Sequence, residues 1–259
     1  MKYTSKLILN WETYQFGKEE MTKTITKLML NWQEYETREY QQWWWKPGAN
    51  TVLYLPMDTD LLDHSLSPKT ITNNWGVSLV SNIGWATIDV AQFNSSSKSL
   101  GFTNNYPFSW AWTILAWFKS PLNNTVITFI SSWTTTAKEV ISLCYQSSAA
   151  RWLSVSNYDT DVDVWNTTWR DNTWHLVTAT YTWIAGDTNN VKIYIDGVQL
   201  KQGTSSWWEI TNNASYIWNY QTYDNFNWYM SKFILESKTR TEQEISDYFN
   251  QTKWGYWIS

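Results

Sequence analysis

Residues 171–182 read Asp-Asn-Thr-Trp-His-Leu-Val-Thr-Ala-Thr-Tyr-Thr, and this stretch decides the fold class. Val177, Ala179 and Tyr181 fall on one face of an extended chain, because successive side chains of a strand alternate between two faces. The alternation predicts a β-strand that packs one face against a core.

The next regular stretch, residues 191–201, reads Val-Lys-Ile-Tyr-Ile-Asp-Gly-Val-Gln-Leu-Lys. Val191, Ile193 and Ile195 share one face of a second strand. Asp196-Gly197 then predicts a tight hairpin turn, because its central residues need positive φ, which glycine and aspartate tolerate best. The two stretches together indicate an antiparallel sheet.

The rest of the chain contains more short β-like runs, each bounded by polar turn residues. They span residues 51–55, 86–93, 112–119, 126–131, 140–145, 152–156, 198–201 and 230–236. Many short strands with turn signals are typical of an all-β, two-sheet antiparallel sandwich.

One helix is expected, near the C-terminus. Thr241 and Glu244 form a capping-box pattern, in which the Thr hydroxyl and the Glu carboxylate each bind a backbone N–H of the first turn. Ile245, Tyr248 and Phe249 then share one face at helical spacing. We expect this helix to run to about residue 251 and to pack against the sandwich.

The N-terminus contains a short duplication. Residues 6–14 match residues 27–35, and each copy reads as a strand, an Asn-Trp turn and a strand. We therefore divide the chain into duplicated hairpin arms over residues 1–41, a linker over 42–50 and a sandwich domain over 51–259. Isolated hairpins are marginal in water, so the arms are expected to need a partner.

Composition excludes several classes of protein. The formal net charge is −4 and the pI is near 5.2, which argues against a general nucleic-acid binder. Cys144 is the single cysteine, so no intramolecular disulfide can form. No apolar run approaches the ~18 residues of a membrane span. The first residues lack a signal-peptide pattern, and we expect an extracellular or virion-surface location reached without one.

Tryptophan and glycine are present in abnormal numbers, 22 and 9. Glycine at its usual level of about 7% would give roughly 18 residues. Trp43, Trp44 and Trp45 lie in the linker, where Gly-Gly-Gly would be ordinary. Asn10-Trp11 and Asn31-Trp32 stand where Asn-Gly turns are expected. We hypothesise that many of these codons are UGA, which some bacterial lineages and their viruses read as glycine.

The hypothesis covers fourteen positions and predicts that they avoid the centre of a packed core. They are Trp11, Trp32, Trp43, Trp44, Trp45, Trp75, Trp133, Trp152, Trp207, Trp208, Trp218, Trp228, Trp254 and Trp257. Trp117 and Trp174 lie inside strand patterns and are expected to be genuine and buried. The alternative is a tryptophan-rich sugar-binding protein.

Seven motifs along residues 51–251 carry a resemblance to a known family. They are residues 54–58 with 63–65, 91–93 with 99–100, 112–119, 171–177, 191–197, 216–219 with 227–230, and 241–249. In this order they resemble the laminin G-like domains of the concanavalin A-like lectin/glucanase superfamily. The resemblance implies a jelly-roll sandwich of two antiparallel sheets, and it leaves the ligand open because fold and function are separable.

Enzyme activity is not expected. A retaining glycosidase needs two carboxylates about 5 Å apart, one of them protonated. The catalytic members of the resembled superfamily carry these groups on one strand as Glu-x-Asp-x-x-Glu, and no such run occurs in this sequence. The closest set of acids, Asp159, Asp161 and Asp163, is typical of a solvated loop. Glycoside hydrolysis is therefore the least favoured alternative.

A calcium site is the strongest metal hypothesis, and no other cofactor is expected. Asp58, Asp60 and Asp63 follow the first strand of the sandwich, where members of the resembled family hold a structural ion. Carboxylate oxygens are the ligands that Ca²⁺ prefers. The family often adds an Asp from a late strand, and Ser231 stands at that position here. The alternative is that the three Asp residues make hydrogen bonds within the turn.

The leading functional interpretation is a non-catalytic, lectin-like or adhesion module that binds a glycan or a cell-surface protein. Asn157, Tyr158, Asp159 and Asp161 are the candidate ligand-binding residues, since amide, hydroxyl and carboxylate groups suit hydroxyl-rich ligands. The alternative is a virion or tail-appendage structural protein. In that role residues 1–41 would bind another copy of the chain or a virion partner.

The coding DNA tests the glycine hypothesis. If tryptophan stands for recoded glycine, the codons for Trp43, Trp44 and Trp45 are UGA. Three UGG codons at these positions would contradict it.

Overall fold

The structure is a computed structural model that describes most of the sandwich and four short strands near the N-terminus. The described residues are 5–9, 12–16, 28–30, 33–35, 46–58, 60–74, 76–80, 89–94, 98–104, 110–120, 127–132, 141–146, 152–156, 161–164, 169, 171–183, 188–205, 213–218 and 228–256. The chain divides into two compact units, residues 1–45 and residues 46–259.

The first unit contains two antiparallel hairpins. Leu9 pairs with Glu12 in one and Leu30 pairs with Gln33 in the other, so each connection has two residues. The predicted hairpins are thereby confirmed, whereas the turn residues Trp11 and Trp32 lie outside the described residues. The strands are β1 (Ser5–Leu9), β2 (Glu12–Phe16), β3 (Leu28–Leu30) and β4 (Gln33–Tyr35).

The second unit is built from fifteen described strands. They are β5 (Thr51–Leu55), β6 (Ile71–Asn74), β7 (Ser78–Val80), β8 (Val90–Phe93), β9 (Ser99–Asn104), β10 (Trp112–Lys119), β11 (Ile127–Ser132), β12 (Ile141–Gln146), β13 (Trp152–Ser156), β14 (Asp161–Val164), β15 (Trp174–Tyr181), β16 (Val191–Ile195), β17 (Val198–Gly203), β18 (Asn213–Trp218) and β19 (Trp228–Glu236).

These strands form two antiparallel sheets. The larger sheet has eight strands in the order β17-β16-β15-β10-β19-β8-β7, and β5 pairs with β19 beyond the end of β8. The smaller sheet has seven strands in the order β14-β13-β12-β11-β18-β9-β6. The predicted fold class, an all-β antiparallel sandwich with one C-terminal helix, is confirmed.

The sandwich core follows the alternation seen in the sequence. Ala179 of β15 pairs with Ile114 of β10 on one side and Ile193 of β16 on the other, and all three side chains are buried. Phe118 packs edge-on against Phe129 of the smaller sheet, with ring centroids 4.9 Å apart. The predicted strand registers are therefore correct, since a slip of one residue would turn these side chains out of the core.

The opposite face of the larger sheet is covered by the helix. The helix, α1 (Glu242–Thr252), is followed by a short 3-10 turn (Lys253–Tyr256). Trp117 of β10 stacks on Phe249 and Tyr256, with ring centroids 5.8 and 4.0 Å apart. The predicted capping box is present: the Glu244 amide donates to the Thr241 hydroxyl, and the Thr241 amide donates to the Glu244 carboxylate.

Two tryptophans are buried as predicted, whereas the burial of a third was not predicted. Trp117 and Trp174 are buried in strands, as predicted. Trp228, one of the fourteen suspected glycines, was predicted to avoid the packed core, and that prediction is wrong. Its side chain is fully buried and stacks on Phe93 at 4.3 Å. The pairing of β19 with β8 brings the two rings together, and burial of both stabilises the contact.

The edges of the two sheets meet at a glycine. Gly203 ends β17, and a Cβ at this position would lie 2.9 Å from Cγ2 of Val162 in β14. Both strands stand at a sheet edge, so only glycine lets the edges approach this closely.

We predict that Gly203→Ala destabilises the sandwich by about 1–3 kcal/mol, because the added methyl overpacks against Val162. Gly48→Ala is the matched control, since nothing lies within 4 Å of a Cβ there. Urea unfolding measures both. The double variant Gly203→Ala with Val162→Ala should recover part of the loss. Equal midpoints for Gly203→Ala and wild type would contradict the close approach.

Candidate functional site

The turn after β5 is organised by Asp63, the third of the predicted calcium ligands. Its buried carboxylate accepts hydrogen bonds from the backbone amides of Tyr54, Ser65 and Lys69 and from the Ser65 hydroxyl, at 2.7–3.0 Å. The His64 amide donates to the Tyr54 carbonyl. Asp63 thus fastens the turn to the end of β5 and satisfies backbone donors that burial would otherwise leave unpaired.

The other two predicted calcium ligands have separate partners. Asp60 bonds His64 Nε2 at 2.9 Å and also accepts from the Leu62 amide. Asp58 lies near the buried Lys232 of β19: burial lowers the pKa of Lys232 to about 7, and the charge of Asp58 opposes that shift. Among the described residues, no group of three or more His, Cys, Asp or Glu side chains is placed to hold a metal ion. Calcium binding at this turn stays a prediction.

The candidate ligand loop is only partly described. Asn157, Tyr158 and Asp159 lie outside the described residues. Asp161 begins β14, the edge strand of the smaller sheet, and its side chain is exposed. Asp163 follows two residues later. Burial raises its pKa and the charge of Asp161 adds to that effect, whereas Lys201 opposes it.

A chain of carboxylate, imidazole and carboxylate lies at one end of the larger sheet. His175 Nδ1 contacts Asp196 Oδ2 at 2.7 Å, and its Nε2 contacts Asp171 Oδ1 at 3.2 Å and the Thr173 hydroxyl at 2.9 Å. The two carboxylates bind opposite ring nitrogens, so they favour the doubly protonated imidazolium. Burial would lower the pKa of His175, but Asp196 and Asp171 outweigh it and raise the pKa.

This cluster holds two turns in left-handed backbone conformations. Asn172 has φ 66° and donates its amide to Ser120 O, whereas Asp196 has φ 51° in the β16–β17 turn. Helix α1 packs directly on this turn. A Cβ on Gly197, whose φ is 78°, would lie 3.2 Å from Cβ of Phe249 and from Cα of Ser246. Asp196 also accepts from the Leu176 amide. These contacts indicate that the His175 cluster stabilises the two turns.

Two exposed indoles, which were not expected from the sequence, lie at the other end of the larger sheet. Trp110 is 64% exposed and Trp183 is 61% exposed. Trp112 of β10 and Tyr181 of β15 are a cross-strand pair. Trp110 precedes Trp112 by two residues, and Trp183 follows Tyr181 by two residues. Only the β10–β15 register relates the two positions, so the sequence alone carries no signal for the pair.

His175 should make stability depend on pH. Its folded pKa lies above the unfolded value of 6.5, so its contribution is complete below 6.5 and is lost as the pH rises through the folded pKa. We predict that His175→Gln lowers the free energy of unfolding by about 2 kcal/mol at pH 6 and by less at pH 9. Urea unfolding from about pH 6 to pH 9 measures this. A wild-type–variant difference that does not change with pH would contradict it.

No protein-family model matches this sequence, and no curated protein matches it by sequence. The fold itself has relatives among solved structures. The chain aligns with the binding domain of botulinum neurotoxin DC in complex with rat synaptotagmin II (TM-score 0.59, 18% identity) and with the same domain in complex with SialylT (TM-score 0.60, 18% identity). It also aligns with a structure of botulinum neurotoxin type C whose cell entry depends on two ganglioside molecules (TM-score 0.57, 19% identity).

These alignments cover 78% of this chain and 51% of each toxin domain, so the chain spans about half of the structures that it resembles. At this level of identity the likeness shows the fold alone. The likeness agrees with the antiparallel β-sandwich of this chain. In the described part of the chain, no helix has the length and apolar character needed to cross a membrane.

Proposed function

We propose that this chain is a non-catalytic binding module for a carbohydrate or a cell-surface protein. The observation that carries the proposal is the lectin-like sandwich, which this chain shares with domains whose described role is binding. Such sandwiches present loops from a rigid sheet scaffold, and this arrangement suits recognition.

Internal bonding of two buried acids, Asp63 and Glu236, supports a non-catalytic role. Asp63 is saturated by hydrogen bonds within its turn. Glu236 forms a buried two-pronged ion pair with Arg240, at 2.6 and 2.9 Å. Asp161 and Asp163, the acids closest to a catalytic pattern in the sequence, stand on the edge strand β14. Glycoside hydrolysis accordingly remains the less favoured alternative.

We assign the sandwich to the laminin G-like group of the concanavalin A-like lectin/glucanase superfamily. Its sequence motifs support this assignment: residues 112–119 form the central strand β10, and residues 191–197 form a strand and turn. The assignment implies loop-mediated binding without specifying the ligand.

The proposed partners are glycans and cell-surface proteins, and the proposed location is extracellular or on a virion surface. The toxin neighbours bind gangliosides, SialylT and rat synaptotagmin II. The partners of these neighbours support both proposed classes for this chain. Asn157, Tyr158, Asp159 and Asp161 are kept as the proposed contact residues.

A second proposed role is display of the sandwich on a virion or tail appendage, with residues 1–41 as the attachment segment. The two hairpins favour it, because each is too small to be stable alone in water. Light scattering of the full chain and of residues 46–259 tests this role. Only the full chain should oligomerise, and monomers in both samples would contradict it.

We also propose that thirteen of the fourteen suspected positions are recoded glycines, and we exclude Trp228 because it is buried in the core. Support comes from the sequence context in the linker and the turns. Peptide mass spectrometry of protein from its native source reads the residue at each position directly.

Binding of the intact chain to cell-surface ligands tests the primary proposal. We predict saturable binding of the full chain to at least one member of an array of sialylated and neutral oligosaccharides, or to protein on intact cells. Heat-unfolded chain is the control, since binding must depend on the folded sandwich. Absence of folded-state binding in both formats would contradict a binding module.

A further inference from the structure

We infer that Trp110 and Trp183 form the stacking surface of a carbohydrate site at one end of the larger sheet. The inference rests on the proposed binding function and assigns it a location and a ligand class. We call the site the tryptophan rim and define it as Trp110, Trp183, Thr188, Asn189 and Thr204.

The strand register relates the positions of the two indoles. Trp112 and Tyr181 are paired across β10 and β15 and stack at 5.8 Å. Trp110 and Trp183 each lie two residues beyond that pair, at the same end of neighbouring strands. Both side chains are more than 60% exposed. Two large aromatic surfaces are thus left in water at this end of the larger sheet, although burial of an indole is favourable.

Several hydrogen bonds join the chain segments at this end of the sheet. The Thr182 amide donates to the Asn190 carbonyl, which closes the β15–β16 connection beside Trp183. Buried Asn190 exchanges two hydrogen bonds with Ser205, at 2.6 and 2.9 Å. The Thr239 hydroxyl donates to the Tyr181 carbonyl. A site on segments joined in this way needs little ordering when a ligand binds.

The remaining rim residues are uncharged and polar. Thr188, Asn189 and Thr204 are exposed, and the Thr204 hydroxyl donates to the Thr188 carbonyl, which joins the end of β17 to the β15–β16 connection. Hydroxyl and amide groups beside an aromatic surface match a sugar ring, which offers apolar C–H faces and a perimeter of hydroxyls. An acidic or basic ligand would instead require charged partners.

The two indoles differ from the ligand-binding residues predicted from the sequence. Asp161 begins β14 of the smaller sheet, whereas Trp110 and Trp183 flank β10 and β15 of the larger sheet. Trp110 and Trp183 are also outside the fourteen suspected glycines.

Titration of the full chain with oligosaccharides tests the rim. The strongest neutral binder from the oligosaccharide array is titrated against wild type and the double variant Trp110→Ala with Trp183→Ala. We expect the double variant to bind about tenfold more weakly or worse, because each lost stacking contact contributes on the order of 1 kcal/mol. Trp183→Phe keeps a ring and should bind with intermediate affinity.

Leu66→Ala is the matched control, since Leu66 is 68% exposed and lies outside the rim. Its affinity should equal that of wild type. Thermal unfolding of each variant establishes that the fold is intact, which is expected because both indoles are exposed.

The other outcomes separate this inference from the proposed function. Oligosaccharide binding that survives the double substitution overturns the rim and leaves the binding function in place. Binding to a cell-surface protein without any oligosaccharide binding also overturns the rim and leaves the binding function in place. Tryptophan-dependent binding to glycan-free phosphatidylcholine vesicles identifies a lipid surface and overturns the carbohydrate class. UGA codons at both positions in a host that reads UGA as glycine also overturn it, and the lack of any binding overturns both proposals.

Discussion

The structure depends on strand β10 being buried on both faces. It lies at the centre of the larger sheet, paired with β15 and β19 over most of its length. One face places Ile114 and Phe118 in the sandwich core, and the other places Trp117 beneath helix α1. Burying both faces removes far more apolar surface from water than a half-exposed strand could, so the two layers are stabilised together.

The fold could be predicted from sequence because its central strands have strong local patterns. The alternation in residues 175–182 and the Asp196-Gly197 turn fix strands and register without knowledge of the rest of the chain. The capping box at Thr241 does the same for the helix. In contrast, β6, β9 and β18 were not predicted, because Asn, Ser and Thr dilute their apolar content and their pairing is set by distant strands.

The candidate site was predicted less completely than the fold. Sequence reasoning identified Asp63 as a turn residue of interest, but its four hydrogen bonds depend on how the turn folds back onto β5. The His175 cluster joins residues about 20 positions apart, and only the β15–β16 pairing brings them together. Trp110 and Trp183 were missed for the same reason, since their proximity is a property of the strand register.

We propose that this sandwich binds its ligand without chemically changing it. The most direct measurement is prolonged incubation of the full chain with an oligosaccharide that it binds, followed by mass spectrometry of the recovered sugar. We expect saturable binding and an oligosaccharide of unchanged mass. The reason is that internal hydrogen bonds hold the carboxylates of Asp63, in the turn after β5, and of Asp196, in the His175 cluster. Shortened products that disappear in Asp163→Asn would contradict it.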